Sequence, residues 1–509
     1  MKLTILGGGG FRVPLVYEAV ATGATGLRVD EVALQDVDAA RLAAIEAVIA
    51  ELGRELESEG RAAGPLPRLS VTTDLREAVT GADFVFSAVR VGGAEGRTVD
   101  ERVALDLGLL GQETVGPGGL AYALRTIPVA VEIAEAIREL APDAWTISFT
   151  NPAGIVTEAM RRVLGDRVVG ICDTPIGLVR RVGRLLGADP TGDDAAAVDY
   201  VGLNHLGWLR AVTVAGRDEL PRILADDSAL EEIEEARLVG FDWVRATGTL
   251  PNEYLFYYLF TDEARARIAA AETTRGEFLA RQQGAFYDAA GEAVGRGAAA
   301  GAADAVAGDR GTDDEDGLAD AGAGAGAGAG VGAGRPDACC PSPLGLWRST
   351  LREREVTYMA ETRDEERREE DIAGGGYQEV ALRLMTAIAT GRPERMILDV
   401  GNAPASSAGA PEDRVVPELP ADLVLEVMCV VDGEGVHPLP VGPLTLEQLG
   451  MMAQLRASER EILEAALTGS RDRARQGFAT HPLVRSVVLG AALLEGYEAG
   501  HPEIAALLG

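Results

Sequence analysis

MKLTILGGGGFRVP (residues 1–14) puts a short apolar run directly in front of four consecutive glycines, Gly7, Gly8, Gly9 and Gly10. The run has the length and character of a strand, the glycines permit a tight turn, and PLVYEAVAT then follows with a helical pattern. A strand, tight turn and helix start in that order aims backbone N–H groups and the positive end of a helix dipole at one point, where a pyrophosphate binds. The loop departs from a strict G-x-G-x-x-G, because Arg12 stands at the last glycine position. Alone it is compatible with a purely structural turn. The second strand pattern ends in VALQD, which places Asp36 near the usual distance for an acid that hydrogen-bonds an adenosine ribose. A carboxylate there repels a 2′-phosphate, so the expected dinucleotide is NAD.

Working outward, residues 1–200 alternate β-rich runs (KLTIL, VDEVALQD, RLSVTTD, DFVFSAVR, AWTISFT, RVVGICD) with amphipathic helical stretches. That alternation specifies an α/β fold: a Rossmann-like doubly wound parallel sheet with helices on both faces. Residues 201–509 read as a mixed α+β, largely helical domain that carries the rest of the catalytic and substrate site and any oligomer contacts. A β-like stretch lies near VLEVMCVVDGEGVHPLPVG. Between 295 and 343 the text is alanine, glycine and aspartate with little to bury, and a disordered low-complexity insert is expected. The following LWRSTLREREVTYMAETRDEERREED reads as a charged, solvent-facing helix.

The chain carries 80 acidic residues against 47 basic ones, a formal charge of −33, and Lys2 is its only lysine. Such an excess repels phosphate backbones and anionic lipid, which argues against nucleic-acid and membrane partners. No run approaches the roughly 18 apolar residues of a membrane span, and no signal-peptide pattern precedes the first strand, so a cytoplasmic location is expected. The four cysteines, Cys172, Cys339, Cys340 and Cys429, have neither the number nor the spacing of a disulfide framework.

Three motifs begin where strand patterns end: SAVRVGG (87–93), SFTNPAG (148–154) and GICDTPIG (170–177). In a parallel doubly wound sheet the carboxyl ends of the strands form one ligand-binding edge, so Arg90, Arg97, Asn151, Cys172 and Asp173 should converge near the dinucleotide. YVGLNHLGWL (200–209) places His205, one of four histidines, on an apolar strand after Asn204. It reads either as a satisfied core histidine or, with Cys172, as a donor to a divalent metal that leaves positions open for substrate oxygens. The aromatic cluster LPNEYLFYYLF (250–260) is core text or the source of a tyrosine base. From the residues alone the reading stops at an NAD-binding enzyme with possible metal assistance.

The set as a whole resembles glycoside hydrolase family 4, the NAD- and manganese-dependent 6-phosphoglycosidases. The resemblance runs through LQDVDAARL, RVGGAEGRTVDE, LGQETVGPGGLAYALRTIP, FTNPAGIVTEA, GICDTPIGL, GLNHLGW, PNEYLFYY, TTRGEFL, GGYQEVALRLM and VDGEGVHPLPVGPL, covering nearly the whole chain outside the insert. It implies Cys172 and His205 as Mn²⁺ ligands, Tyr254 as catalytic base and Asp173 as proton donor to the leaving group. Glu113 matches an acidic position that raises the basicity of the tyrosine. Arg97, Asn151 and Arg275 match substrate-binding positions, with Arg90 and Asn204 as further candidates for that role.

The implied reaction leaves the cofactor unchanged: oxidation of the sugar at C3, deprotonation at C2, elimination at C1, addition of water and re-reduction, an exception to two-carboxylate glycoside hydrolysis. The implied substrate is a phosphorylated disaccharide or glucoside, and the implied assembly a homodimer or homotetramer. The text is most like 6-phospho-β-glucosidases, although Asp173 in CDTPIG is shared with the phospho-α-glucosidases. The competing readings are a 6-phospho-α-glucosidase, an NAD-dependent 2-hydroxy acid dehydrogenase and a non-catalytic NAD sensor. A dehydrogenase needs a histidine–aspartate relay at the strand ends, where His205 is the one histidine on offer.

Overall fold

The computed structural model describes residues 1–509 except 24–25, 190–195, 309–341, 363–366, 369–375 and 408, and except the side chains of 297–308. Six parallel strands form the N-terminal half: β1 Lys2–Leu6, β2 Glu31–Gln35, β3 Arg68–Thr72, β4 Phe84–Ser87, β5 Trp145–Ser148 and β6 Val168–Gly170. They lie in the order β3-β2-β1-β4-β5-β6, the doubly wound order in which chain direction across the sheet reverses beside β1. Every residue of β4 is buried, as expected of strands covered on both faces.

The sheet continues beyond β6. β7 (Ala196–Leu203), β8 (Leu206–Val214), β9 (Arg217–Asp218), β10 (Leu250–Pro251), β11 (Glu394–Gly401), β12 (Val424–Asp432) and β13 (Gly435–Pro438) extend it to thirteen strands. β11 pairs antiparallel with β6 and with β12, β12 with β7, and β7 with β8. The β-like stretch foreseen near residue 430 is β12 and β13, whereas β11 carried no clear strand signal in the sequence. The two hydrophobic layers include Ile5, Leu34, Ile45 and Phe86 on one face of the parallel sheet and Val85, Leu124, Ile155 and Leu463 on the other.

Two sequence expectations need correction. The stretch from 295 does not begin an unstructured insert: the helix Arg275–Gly308 runs through it, consistent with alanine being the strongest helix former. Residues 309–341 of that insert lie outside the described residues, and the helix Pro343–Val356 begins at its far end. That second helix is not simply solvent-facing, since Leu344 and Trp347 are buried and the Trp347 indole donates to the Phe11 carbonyl at 2.7 Å. Among the described residues no helix is long and apolar enough to cross a membrane.

The β7–β8 hairpin turns at Asn204–His205. Gly202 faces Gly207 across it, and a Cβ on Gly202 would lie 2.3 Å from the Gly207 Cα and 2.4 Å from the Leu206 carbonyl oxygen. We expect Gly202→Ala to lower stability by about 1–3 kcal/mol, the usual cost of overpacking. Urea unfolding checks this, and an unchanged midpoint would show that the hairpin has slack.

Candidate active site

A cavity of about 290 Å³ opens at the carboxyl ends of the parallel strands. β1 delivers Gly7 and Gly10 to its wall, the turn after β4 delivers Arg90, the turn after β5 Asn151, and the turn after β6 Cys172 and Asp173. The helix Gly93–Asp106 adds Arg97, the segment that follows it Glu113, the β7–β8 turn Asn204 and His205, and the segment after β10 Tyr254. Arg275, first residue of its helix, completes the expected set around the cavity.

Gly8, Gly9 and Asp36 are placed differently. Gly8 donates to the Gln35 carbonyl at 2.7 Å, and Gly9 donates to Asp36 Oδ2 at 3.1 Å. These three are not among the residues that line the cavity, and their bonds tie the loop to the end of β2. Asp36 also accepts from the Asp38 amide, and burial raises its carboxyl against those bonds. Gly7 is the position where only glycine serves: its φ is +79°, and a Cβ would lie 2.6 Å from the Ala88 carbonyl oxygen. The outward carbonyls of the loop are held by aromatic donors, with Tyr287 bonding to Gly9 at 2.7 Å and Tyr377 to Arg12 at 2.8 Å.

His205 has a φ of 66°, a left-handed conformation uncommon outside glycine, and its ring stacks on Tyr254 at 3.8 Å between centroids and 15° between planes. Residues held in such conformations cluster at functional sites. Burial lowers the imidazole to about 3, so it is neutral and able to offer a lone pair. Burial, then the carboxylates of Glu426 and Asp173, push the Cys172 thiol well up, and its S–H donates to Thr174 Oγ1 at 3.5 Å. A bound divalent cation would favour the thiolate that burial here opposes. Among the described residues no group of three or more His, Cys, Asp or Glu side chains has metal-holding geometry, and Cys172 and His205 both line the cavity.

Asp173 is the N-cap of the helix Thr174–Leu186, yet its side chain makes no capping bond and stands in the cavity wall. Asn151 Oδ1 is buried without a hydrogen-bond partner. Tyr254 bonds through its hydroxyl to that of Tyr358 at 2.9 Å, and Tyr358 donates to Glu253 Oε1 at 2.6 Å. Burial and then Glu253 push the Tyr254 phenol well up. Glu113 is held between Arg90 and Arg97, the latter at 2.5 Å. Burial opposes its ionisation, but the two guanidiniums prevail and bring the carboxyl down to about 2.

Sequence reading missed several lining residues: Arg12, Glu253, Arg354, Glu355, Tyr358 and Tyr377. Glu253 adjoins Tyr254 and was within reach of inspection. Arg354 and Tyr358 were concealed by a charge run that resembles a solvated helix face.

Comparison with known proteins fits this geometry. The sequence model described as "Family 4 glycosyl hydrolase" matches residues 2–188, and the model described as "Family 4 glycosyl hydrolase C-terminal domain" matches residues 200–484. The chain belongs to glycosyl hydrolase family 4. A Bacillus subtilis (strain 168) relative named "Probable 6-phospho-beta-glucosidase" is 27% identical over 506 residues, covering 97% of this chain and 95% of the relative. The "Maltose-6'-phosphate glucosidase" of the same organism is 37% identical over 234 residues, but these are 43% of this chain and 52% of the relative. Among solved structures, a 6-phospho-alpha-glucosidase from gut microorganisms in complex with NAD and Mn²⁺ superposes with a TM-score of 0.69 at 25% identity, covering 99% of this chain and 98% of that one.

The buried Glu113 pair makes a pH-dependent prediction. The folded carboxyl near 2 lies below its ordinary value of 4.5, so its stabilisation is complete above 4.5 and is lost as pH falls towards 2. Glu113→Gln should cost about 3 kcal/mol at neutral pH. The gap to the unmodified protein, followed by denaturant unfolding, should then close on acidification; a gap that stays constant would refute the pairing.

Proposed function

We propose that the protein is a 6-phospho-β-glucosidase that uses NAD⁺ and a divalent cation, Mn²⁺, to hydrolyse 6-phospho-β-D-glucosides to glucose 6-phosphate and an aglycone or sugar. The observation that carries this reading is the stacking of His205 on Tyr254 in the cavity that also holds Cys172, Asp173 and the glycine loop. Residues 1–200 supply the loop and the Cys172–Asp173 pair; residues 201–509 supply His205, Tyr254 and Arg275. The β preference is supported by the relative that aligns along nearly all of the chain.

The residues present suit both groups. Gly7 and Gly10 bring the backbone of the turn after β1 to the cavity without side chains, and Cys172 with neutral His205 would hold a divalent cation whose open positions leave room for the oxygen donors that Mn²⁺ prefers. When bound, the dinucleotide supplies reversible oxidation of the sugar and the cation supplies Lewis acidity. The protein's own part is proton transfer and orientation. The Tyr254 oxygen would take the C2 proton of the sugar, which is acidic when C3 is at the ketone level. The proton already on that phenol has a hydrogen-bonded route through Tyr358 to the Glu253 carboxylate. Asp173 protonates the leaving oxygen at C1, as its freedom from capping allows. Asn151 Oδ1 accepts from a sugar hydroxyl, which gives this buried oxygen its missing partner. Arg97 and Arg90 fix Glu113 and present their remaining N–H groups to the substrate.

A 6-phospho-α-glucosidase is the second reading, favoured by the solved structure named 6-phospho-alpha-glucosidase at 25% identity. Chromogenic 6-phospho-β- and 6-phospho-α-glucosides, each assayed with and without NAD⁺ and Mn²⁺, separate the two. Release from the β substrate that needs both additions, without net NADH, is the expected result. Release from the α substrate alone moves the assignment to the second reading, and stoichiometric NADH points to a dehydrogenase. Tyr254→Phe should keep NAD binding and lose about 100-fold or more of turnover. A deuterium at C2 of the substrate should exchange with solvent.

A further inference from the structure

The loop after β1 is gripped by the second half of the chain. Three of its carbonyls accept from aromatic donors: Gly9 from Tyr287 at 2.7 Å, Phe11 from the Trp347 indole at 2.7 Å and Arg12 from Tyr377 at 2.8 Å. Each donor lies on a different helix, Arg275–Gly308, Pro343–Val356 and Tyr377–Thr390. Tyr287 and Tyr377 line the cavity. Trp347 is not among its lining residues and is buried against Phe11, with ring centroids 6.4 Å apart.

The amides of the loop divide into two groups. Gly8 donates to the Gln35 carbonyl, Gly9 to Asp36 and Gly10 to the Gly7 carbonyl, so three glycine amides are taken up in holding the turn. The next two, of Phe11 and Arg12, have no hydrogen-bond partner among the described residues. Both residues line the cavity, immediately before the helix Val13–Ala21. In a trans peptide such as Phe11–Arg12 the carbonyl and the following N–H point in opposite directions. The Trp347 bond therefore fixes the plane of that peptide and turns the Arg12 N–H away from the indole. Without the indole N–H the buried Phe11 carbonyl is left unsatisfied, and rotating the peptide to find another donor swings the Arg12 N–H with it.

We propose that Trp347 is a positioning residue for the dinucleotide: by holding the Phe11 carbonyl it aims the Arg12 amide at the pyrophosphate. Cofactor affinity then depends on a side chain outside the cavity lining and 336 residues further along the chain than the carbonyl it holds. This role rests on the NAD⁺ use proposed above, and on neither the sugar nor its anomer.

Calorimetric binding of NAD⁺ to the full chain requires no turnover and separates the indole N–H from the indole's bulk. Trp347→Phe keeps an aromatic ring against Phe11 and lacks the donor. Trp347→His is smaller, but its Nε2 can take the place of the indole nitrogen in the five-membered ring. Trp347→Phe should weaken NAD⁺ about 3- to 10-fold, the range for one neutral hydrogen bond. Trp347→His should recover part of that affinity even though it lowers the thermal midpoint more. A merely structural role predicts the opposite order, with affinity following stability. In the unmodified protein NAD⁺ should slow hydrogen exchange at the Arg12 amide more than at Gly8 and Gly9, which are already bonded, a measurement that survives any folding defect of the variants. Unchanged NAD⁺ affinity in Trp347→Phe, affinity that follows stability across the two variants, or an Arg12 amide that exchanges no more slowly with NAD⁺ bound would each overturn the proposal. An unmodified chain that binds no NAD⁺ would overturn the dinucleotide reading with it, whereas normal binding by Trp347→Phe overturns this role alone.

Discussion

The contact between β6 and β11, one register pair of Gly170 with Asp399, is where the parallel and antiparallel halves of the sheet are joined. Gly170 has no room for a side chain: a Cβ would lie 2.6 Å from Thr157 Oγ1 and 2.7 Å from the Asp399 Cβ. Two residues further on stands Cys172. On the other side of the junction the sheet runs from β11 through β12 to β7, at whose end stands His205. The two proposed metal donors, 33 residues apart in sequence, therefore owe their common cavity to a junction that only glycine permits at this position.

Beneath that junction lies a pair of carboxyls. Asp399 faces Glu426 across the β11–β12 register. Burial raises Asp399 to about 7, and burial with the Asp399 charge raises Glu426 well above the usual range. Glu426 accepts from the Tyr200 hydroxyl at 2.7 Å and from the Asn204 amide at 3.4 Å. Tyr200 in turn accepts from Asn252 at 3.3 Å, whose Oδ1 caps the Tyr254 amide at 3.0 Å. One buried polar chain thus links the β7–β8 turn to the segment carrying Tyr254. Buried networks are costly unless satisfied throughout, and here the cost purchases a fixed relation between an imidazole and a phenol.

How much of this was legible in the sequence depended on locality. The alternation over residues 1–200 reports each strand and helix separately, because a parallel strand buried on both faces is apolar wherever its neighbours lie. Hence the glycine loop, the strand-end motifs and their common edge could be read directly. Pairing of β6 with β11 involves residues 229 positions apart, Gly170 and Asp399, and no local pattern records it. The segment 346–371 failed for a different reason. Its charges match a solvated helix, but Arg354 and Tyr358 turn into the cavity while Arg348 pairs outward with Glu55. Charge density does not reveal which face of a helix is dry. Gly8, Gly9 and Asp36 show the converse, since a motif can be present and still have part of it committed to holding its own loop.

The acid that acts on the tyrosine can be argued from the same geometry. Family resemblance points to Glu113, and its charge does act in the sense of raising the Tyr254 phenol. Glu113 is, however, spent on Arg90 and Arg97, whose positive charges offset its field at short range. Glu253 is the stronger charge felt by Tyr254 and is joined to it through the Tyr358 hydroxyl. A carboxylate that is both nearer in effect and hydrogen-bonded can accept a proton as well as repel an electron pair, whereas a carboxylate clamped by two guanidiniums can only contribute a screened field. Glu113 therefore holds two arginines in the cavity wall, and Glu253 is the carboxyl joined through Tyr358 to the Tyr254 phenol.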